Sequence, residues 1–128
     1  MFKRVNGRLV HLTDPSRVKF RTNISKAILE ELNGLAEKND THINYLLETG
    51  LAAVLASDVI TFNKAARPKD RVQYKTSYDK DLIAKTRDFA KRNGLCTNDV
   101  LEYSASYIDL DNVKSRDYKT RIEINKEF

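Results

Sequence analysis

Cysteine, histidine, proline, glycine and tryptophan are all scarce in this 128-residue chain, which has one Cys, two His, two Pro, four Gly and no Trp. A single Cys cannot close an intrachain disulfide, so a cytoplasmic home is expected. His11 and His42 stand apart, Cys96 falls at a helix cap, and no His, Cys and carboxylate cluster has metal-ligand spacing; neither a metal nor a cofactor is expected. The glycines at positions 7, 34, 50 and 94 are too scattered to form a phosphate-cradling loop. Asp79 and Asp81 are the nearest thing to a pair of catalytic carboxylates, yet capping and the first-turn dipole account for both. No catalytic residue is named and no enzyme is expected. There is no run approaching the ~20 apolar residues of a membrane span. The opening MFKRVNGRLVHL is basic without the apolar core of a secretory signal, so no membrane partner is expected.

What the chain does have is a localised positive charge. The net charge is +5, yet residues 1–26 alone hold seven bases (Lys3, Arg4, Arg8, Arg17, Lys19, Arg21 and Lys26) against Asp14. The other residues are close to balanced. A concentrated basic segment on an otherwise mixed surface is the footprint of a protein that meets phosphates.

The chain also repeats itself. A shift of 54 residues lays Arg17-Val18 on Arg71-Val72, Thr22 on Thr76, Lys26 on Lys80, Ala36 on Ala90 and Asn39 on Asn93, without a gap. The same shift lays Asn44 on Asn98 and Leu47-Glu48 on Leu101-Glu102. Each copy opens with strict alternation: Phe20, Thr22 and Ile24 on one face with Lys19, Arg21 and Asn23 on the other, then Tyr74, Thr76 and Tyr78 against Gln73, Lys75 and Ser77. Period two with aromatic and β-branched residues predicts half-buried strands.

The period then changes to about 3.6 after Ser25 and Asp79, both natural N-caps. Ile28, Leu29, Leu32, Leu35 and Ala36, and likewise Leu82, Ile83, Phe89 and Ala90, mark the apolar faces of two helices. Asn39-Asp40 and Asn93-Gly94 end them with residues that tolerate a left-handed backbone. A second helix follows in each copy, carrying Ile43, Leu46, Leu47, Gly50, Leu51, Val54 and Leu55 in the first and Val100, Leu101, Ser104, Ala105 and Ile108 in the second, with caps at Thr41 or His42 and at Cys96 or Thr97. One strand and two helices bury too little to stand alone, and the remedy is to pair the two strands antiparallel over four helices.

The segment Lys19-Phe20-Arg21-Thr22-Asn23-Ile24-Ser25, continuing to Leu35-Ala36, resembles the ribbon-helix-helix DNA-binding superfamily of the Arc and MetJ repressors. Asn93-Gly94-Leu95-Cys96-Thr97-Asn98 resembles that family's turn into its second helix. Two such units in one chain are similar in layout to TraY-type accessory proteins of conjugative plasmids. The resemblance implies a mainly α fold with a two-stranded antiparallel β-ribbon, built as two tandem ribbon-helix-helix units forming an intramolecular pseudo-dimer. It implies an arm or hairpin over 1–16, units over 17–56 and 71–110, a linker over 57–70 and a charged tail over 111–128.

It further implies double-stranded DNA as partner. Lys19, Arg21, Asn23, Gln73, Lys75 and Ser77 would read bases in the major groove, with cations suited to guanine and Asn or Gln to adenine. Phosphate contacts would come from Arg17 and Arg71 at the strand starts and from the second-helix openings at Thr41, His42, Asn44, Cys96, Thr97 and Asn98. Asp40 departs from the family's Gly and places an acid near the first of these anchors. The unlike strands imply a non-palindromic subsite. The role implied is relaxosome accessory protein at a transfer origin, or transcriptional regulator such as a phage or plasmid repressor. Further copies of the chain on adjacent subsites, or a relaxase or other DNA-processing protein, are the implied protein partners. An antitoxin-like interaction module, its tail folded on a toxin, is the reading from another class.

Two flanking segments stay open. Asn6-Gly7 between short alternating runs signals a hairpin, whose Lys3, Arg4 and Arg8 would add phosphate contacts, or else a frayed terminus. The Arg121-Ile122-Glu123-Ile124 alternation suggests an edge strand or partner contact.

Overall fold

The computed structural model describes residues 2–5, 8–11 and 15–115. The alternation at 121–124 lies outside them. The fold is mainly helical, with two separate two-stranded antiparallel sheets. Strand β1 (Phe2–Val5) pairs with β2 (Arg8–His11), as the Asn-Gly signal predicts. Strand β3 (Arg17–Ser25) pairs along its whole length with β4 (Arg71–Asp79). Between and after them run α1 (Lys26–Lys38), α2 (Ile43–Ser57), α3 (Lys80–Arg92) and α4 (Thr97–Ser104), with 3-10 turns at Lys64–Ala66 and Ala105–Tyr107.

The β3–β4 ribbon is built by the alternation. Thr22, Ile24 and Tyr78 turn inward and are buried, while Lys19, Arg21, Asn23, Gln73 and Lys75 face out. Beneath the ribbon a single core joins Leu32 and Ala36 of α1, Leu46, Leu47, Leu51 and Val54 of α2, Ile83 and Phe89 of α3, and Val100 and Leu101 of α4. Phe20 meets Tyr78 edge-on, with ring centroids 6.4 Å apart.

Both strands hand over to their helices in the same way. The Ser25 hydroxyl accepts from the Ile28 N–H at 3.4 Å and the Asp79 carboxylate from the Leu82 N–H at 2.9 Å, so each satisfies a donor that a helix start leaves open. The residue just before each strand also ties down the helix that follows the partner strand: the Lys26 N–H donates to the Asp70 carbonyl (3.0 Å) and the Lys80 N–H to the Ser16 carbonyl (2.8 Å).

The helix exits match as well. Thr41 N–H reaches the Ala36 carbonyl (3.0 Å) and Leu95 N–H the Ala90 carbonyl (2.8 Å), the long bond of a Schellman ending. The left-handed residue is Asp40 (φ 50°) in one case and Gly94 (φ 67°) in the other. Asn39 and Asn93 keep negative φ, and each side-chain amide donates to the carbonyl four residues back at 2.8 Å.

The second helices differ from expectation in length. The sequence pattern carries the later one to Ile108, but α4 stops at Ser104 and Ile108 lies past the 3-10 turn. Its continuation, Ala-Ser-Tyr-Ile-Asp, holds weaker helix formers than the Leu-Ala-Ala-Val-Leu that extends α2 to Ser57. The Asp109 N–H then donates to the Thr49 hydroxyl at 3.0 Å, which fixes the departing chain.

Gly34 sits mid-helix on the exposed side of α1, and a Cβ there would meet nothing within 4 Å. Gly34→Ala should therefore raise stability by about 0.5–1 kcal/mol through helix propensity alone. A thermal or urea melt checks this; an unchanged or lowered midpoint contradicts the open environment.

Candidate functional site

The outer face of the β3–β4 ribbon presents three opposed pairs: Lys19 with Ser77, Arg21 with Lys75, and Asn23 with Gln73. No carboxylate stands among them. Two cations directly across an antiparallel ladder repel each other, and Arg21 faces Lys75 at its centre. Among the described residues, no ion pair involves Lys19, Arg21 or Lys75. The face thus offers exposed cationic and amide donors whose charge no ion pair among the described residues offsets.

Ser77 departs from its five companions. It is half-buried, its hydroxyl accepts from Arg17 Nε (3.2 Å), and its carbonyl accepts from Arg17 (2.8 Å) and from the Asn44 amide (2.8 Å). It serves to hold the edge of the ribbon rather than to project from it.

The second helices start on either side of this face. Asn44 in the first turn of α2 is tied to Ser77 on β4, and Asn98 in the first turn of α4 accepts from the Asn23 N–H on β3 at 3.1 Å. The N–H groups of Ile43 and Asn44, and of Thr97 and Asn98, have no acceptor among the described residues. Open N–H groups at a helix start, with the helix dipole behind them, favour an anion.

The residues expected at these helix starts are placed unevenly. His42 is the N-cap of α2, exposed, with its ring edge-on to Tyr45 at 5.5 Å. Thr41 is buried, and its hydroxyl donates to the Lys114 carbonyl at 2.5 Å, so both its donors are engaged within the chain. Asn44 is buried with both amide atoms in use. Cys96 is the exposed N-cap of α4, but its N–H donates to Asp99 (3.1 Å), while Thr97 and Asn98 are half-exposed. Beside the α2 start an open groove of about 500 Å³ is lined by Glu37, Thr41, His42, Asn44 and Tyr74, among others.

Arg17 and Arg71 are internal ties. The Arg17 side chain is 8% exposed and pairs with Glu48 at 3.2 Å. Arg71 pairs with Asp99 at 2.8 Å and with Glu102. Each glutamate also accepts a backbone N–H from the opposite strand: Glu48 from Asp79 (2.7 Å) and Glu102 from Ser25 (2.8 Å). These two arginines are thus spent inside the fold. The signal for this role was present in the repeat, which preserves Arg17-Val18 with Arg71-Val72 and Leu47-Glu48 with Leu101-Glu102.

Sequence reasoning missed Asp99 and Arg67. Asp99 is fully buried and accepts from Arg67 Nε (3.1 Å), Arg67 Nη2 (2.7 Å), Arg71 (2.8 Å) and the Cys96 N–H. Burial alone would raise its pKa, yet these hydrogen bonds outweigh it and hold the carboxyl far below the usual range. At the corresponding place in the first half stands Tyr45, with Arg17 over its ring at 5.4 Å.

Lys3 and Arg4 lie on β1 and Arg8 on β2. Among the described residues, no helix is long and apolar enough to cross a membrane, and no group of three or more His, Cys, Asp or Glu could hold a metal ion. No family model, curated protein or solved structure matches the chain.

Proposed function

We propose that this protein binds double-stranded DNA sequence-specifically by laying the β3–β4 ribbon in the major groove, as an intramolecular pseudo-dimer of two ribbon-helix-helix units. The observation that carries the reading is the acid-free ribbon face with Arg21 opposite Lys75. Repulsion across the ladder costs stability and gains nothing within the fold; a polyanion facing it reverses the sign. B-DNA's major groove admits a two-stranded ribbon of this kind.

The pseudo-dimer reading is supported by how the repeat and the register coincide. A shift of 54 residues carries Arg21 onto Lys75, and these two are ladder partners. A two-fold axis between them exchanges Arg17–Glu48 with Arg71–Glu102, Glu48–Asp79 with Glu102–Ser25, and the α1 exit with the α3 exit. Bases are read by Lys19, Arg21, Asn23, Gln73 and Lys75, and the starts of α2 and α4 hold the flanking phosphates. Ser77, Arg17 and Arg71, occupied inside the fold, are left out of the contact set.

The two strands present unlike groups across the axis, so the subsite is not a palindrome. The biological setting in which such a grip serves is transfer-origin assembly or transcriptional regulation, to which the tandem layout is equally suited.

Selection from random duplex DNA, followed by binding assays on the recovered site, tests the reading. A non-palindromic site is expected, and Arg21→Ala should weaken binding by about 1–3 kcal/mol while relaxing preference at one base pair. An Arg21→Ala protein with unaltered affinity and preference rules out the ribbon as the reading surface. A perfect inverted repeat within one ribbon's footprint rules out the unequal halves.

A further inference from the structure

The two helix starts beside the ribbon differ in charge. Around the α2 start stand Glu37 in the last turn of α1 and Asp40 in the turn. The same positions before α4 are Lys91 and Gly94. The second side also has a cation from outside the repeat: Lys64 Nζ lies 3.6 Å from where a Cβ on Gly94 would stand.

Lys64 is held there by a structured linker. It opens the 3-10 turn Lys64–Ala66, whose N-cap Asn63 accepts from the Ala65 N–H at 3.0 Å. Arg67, three residues on, grips the buried Asp99 in α4 through two nitrogens. Upstream, Ile60 packs against the core. The linker is thus fastened on both sides of Lys64, to the core at Ile60 and to α4 at Arg67.

This placement is unfavourable in isolation. A cation near a helix start opposes the dipole, and no ion pair among the described residues involves Lys64. Asp99, in the first turn of α4, is already engaged by Arg67, Arg71 and the Cys96 N–H. The open N–H groups of Thr97 and Asn98 add to the same positive field. An anion bound there answers all three.

Resting on the DNA-binding reading above, we infer that Lys64 of the linker contacts a DNA phosphate at the start of α4, so that the second half grips the backbone more strongly than the first. The linker is then part of the interface as well as the tether, and the unequal grip orients the protein on its site.

The test uses the full chain and the duplex recovered by selection. Lys64→Gln should lower affinity about fivefold to tenfold near 0.1 M salt and flatten the slope of log affinity against log salt by about 0.9, the signature of one lost phosphate contact. Lys64→Arg should restore both. Ethylation interference should lose one phosphate on the α4 side of the footprint, with its mirror position on the α2 side unchanged. The melting midpoint of Lys64→Gln should match the wild type, which separates lost contact from lost fold. A wild type that binds while Lys64→Gln keeps its salt slope and footprint overturns this inference alone. A wild type that binds no duplex overturns the DNA reading with it.

Discussion

Replacing Gly50 with alanine should destabilise the protein by about 3 kcal/mol, the upper end of what overpacking normally costs, and lower its melting midpoint by roughly 10 °C for a chain of this size. A Cβ at Gly50 would lie 2.1 Å from the Ser104 carbonyl oxygen and 2.9 Å from its carbon. Helix α2 crosses the end of α4 at this point, and Ser104 is the residue the repeat aligns with Gly50. Because the obstacle is backbone, no rotamer change clears it, and the helices must separate.

The double variant makes that distinction measurable. Ser104→Gly removes a Cβ that lies 3.2 Å from the new methyl but leaves the carbonyl at 2.1 Å. Gly50→Ala should therefore remain unstable in the Ser104→Gly background. Recovery of the wild-type midpoint in a thermal melt would mean that the side chain was the obstacle and the helix backbones are further apart than stated.

Several features of this architecture were legible in the residues because local periodicity encodes them. Alternation at 19–24 and 73–78 placed the outward set on one face, and the same rule placed Thr22, Ile24 and Tyr78 beneath it. Ser25, Asp79 and the Asn-Asp and Asn-Gly pairs marked helix limits because caps and left-handed exits use short-range hydrogen bonds. The reach of β3 back to Arg17 was not legible in this way. Its end is fixed by Glu48 and Ser77, residues distant in the chain, and alternation carries no information about them.

The phosphate set was the least legible part for the same reason. Arg17 and Arg71 look like free cations in a string of letters; only the fold brings Glu48 and Glu102 to them. Thr41 looks like an exposed cap until the carbonyl of Lys114 covers its hydroxyl. A backbone carbonyl is contributed by every residue type, so no pattern in the tail announces it. Lys64 falls within the linker, and its value depends on Arg67 finding Asp99. Asp99 stands in the first turn of α4, a position where solvent exposure is the norm.

Asp99 is where the second large effect is expected. Removing it by Asp99→Ala leaves the Arg67 guanidinium without its carboxylate, leaves Arg71 with Glu102 alone, and frees the Cys96 N–H. Breaking a buried pair by deleting one partner costs about 3–5 kcal/mol, because the surviving charges have been desolvated. Arg67 is 39% exposed and can turn to solvent, whereas Arg71 is 19% exposed and cannot do so fully; about 3 kcal/mol is the fitting figure. Asp99→Asn keeps the volume and the acceptor while removing the charge, and should cost less. The acid dependence separates the charge from the packing. The Asp99 carboxyl is depressed in the folded state, so its stabilisation is present in full above the unfolded carboxyl range near pH 4 and fades as pH falls towards the lower folded value. The gap in melting midpoint between wild type and Asp99→Asn should therefore be widest near neutrality and shrink steadily below about pH 4. A gap that stays constant through that range would assign the loss to geometry and remove the ion pairs as the force that fastens the linker to α4.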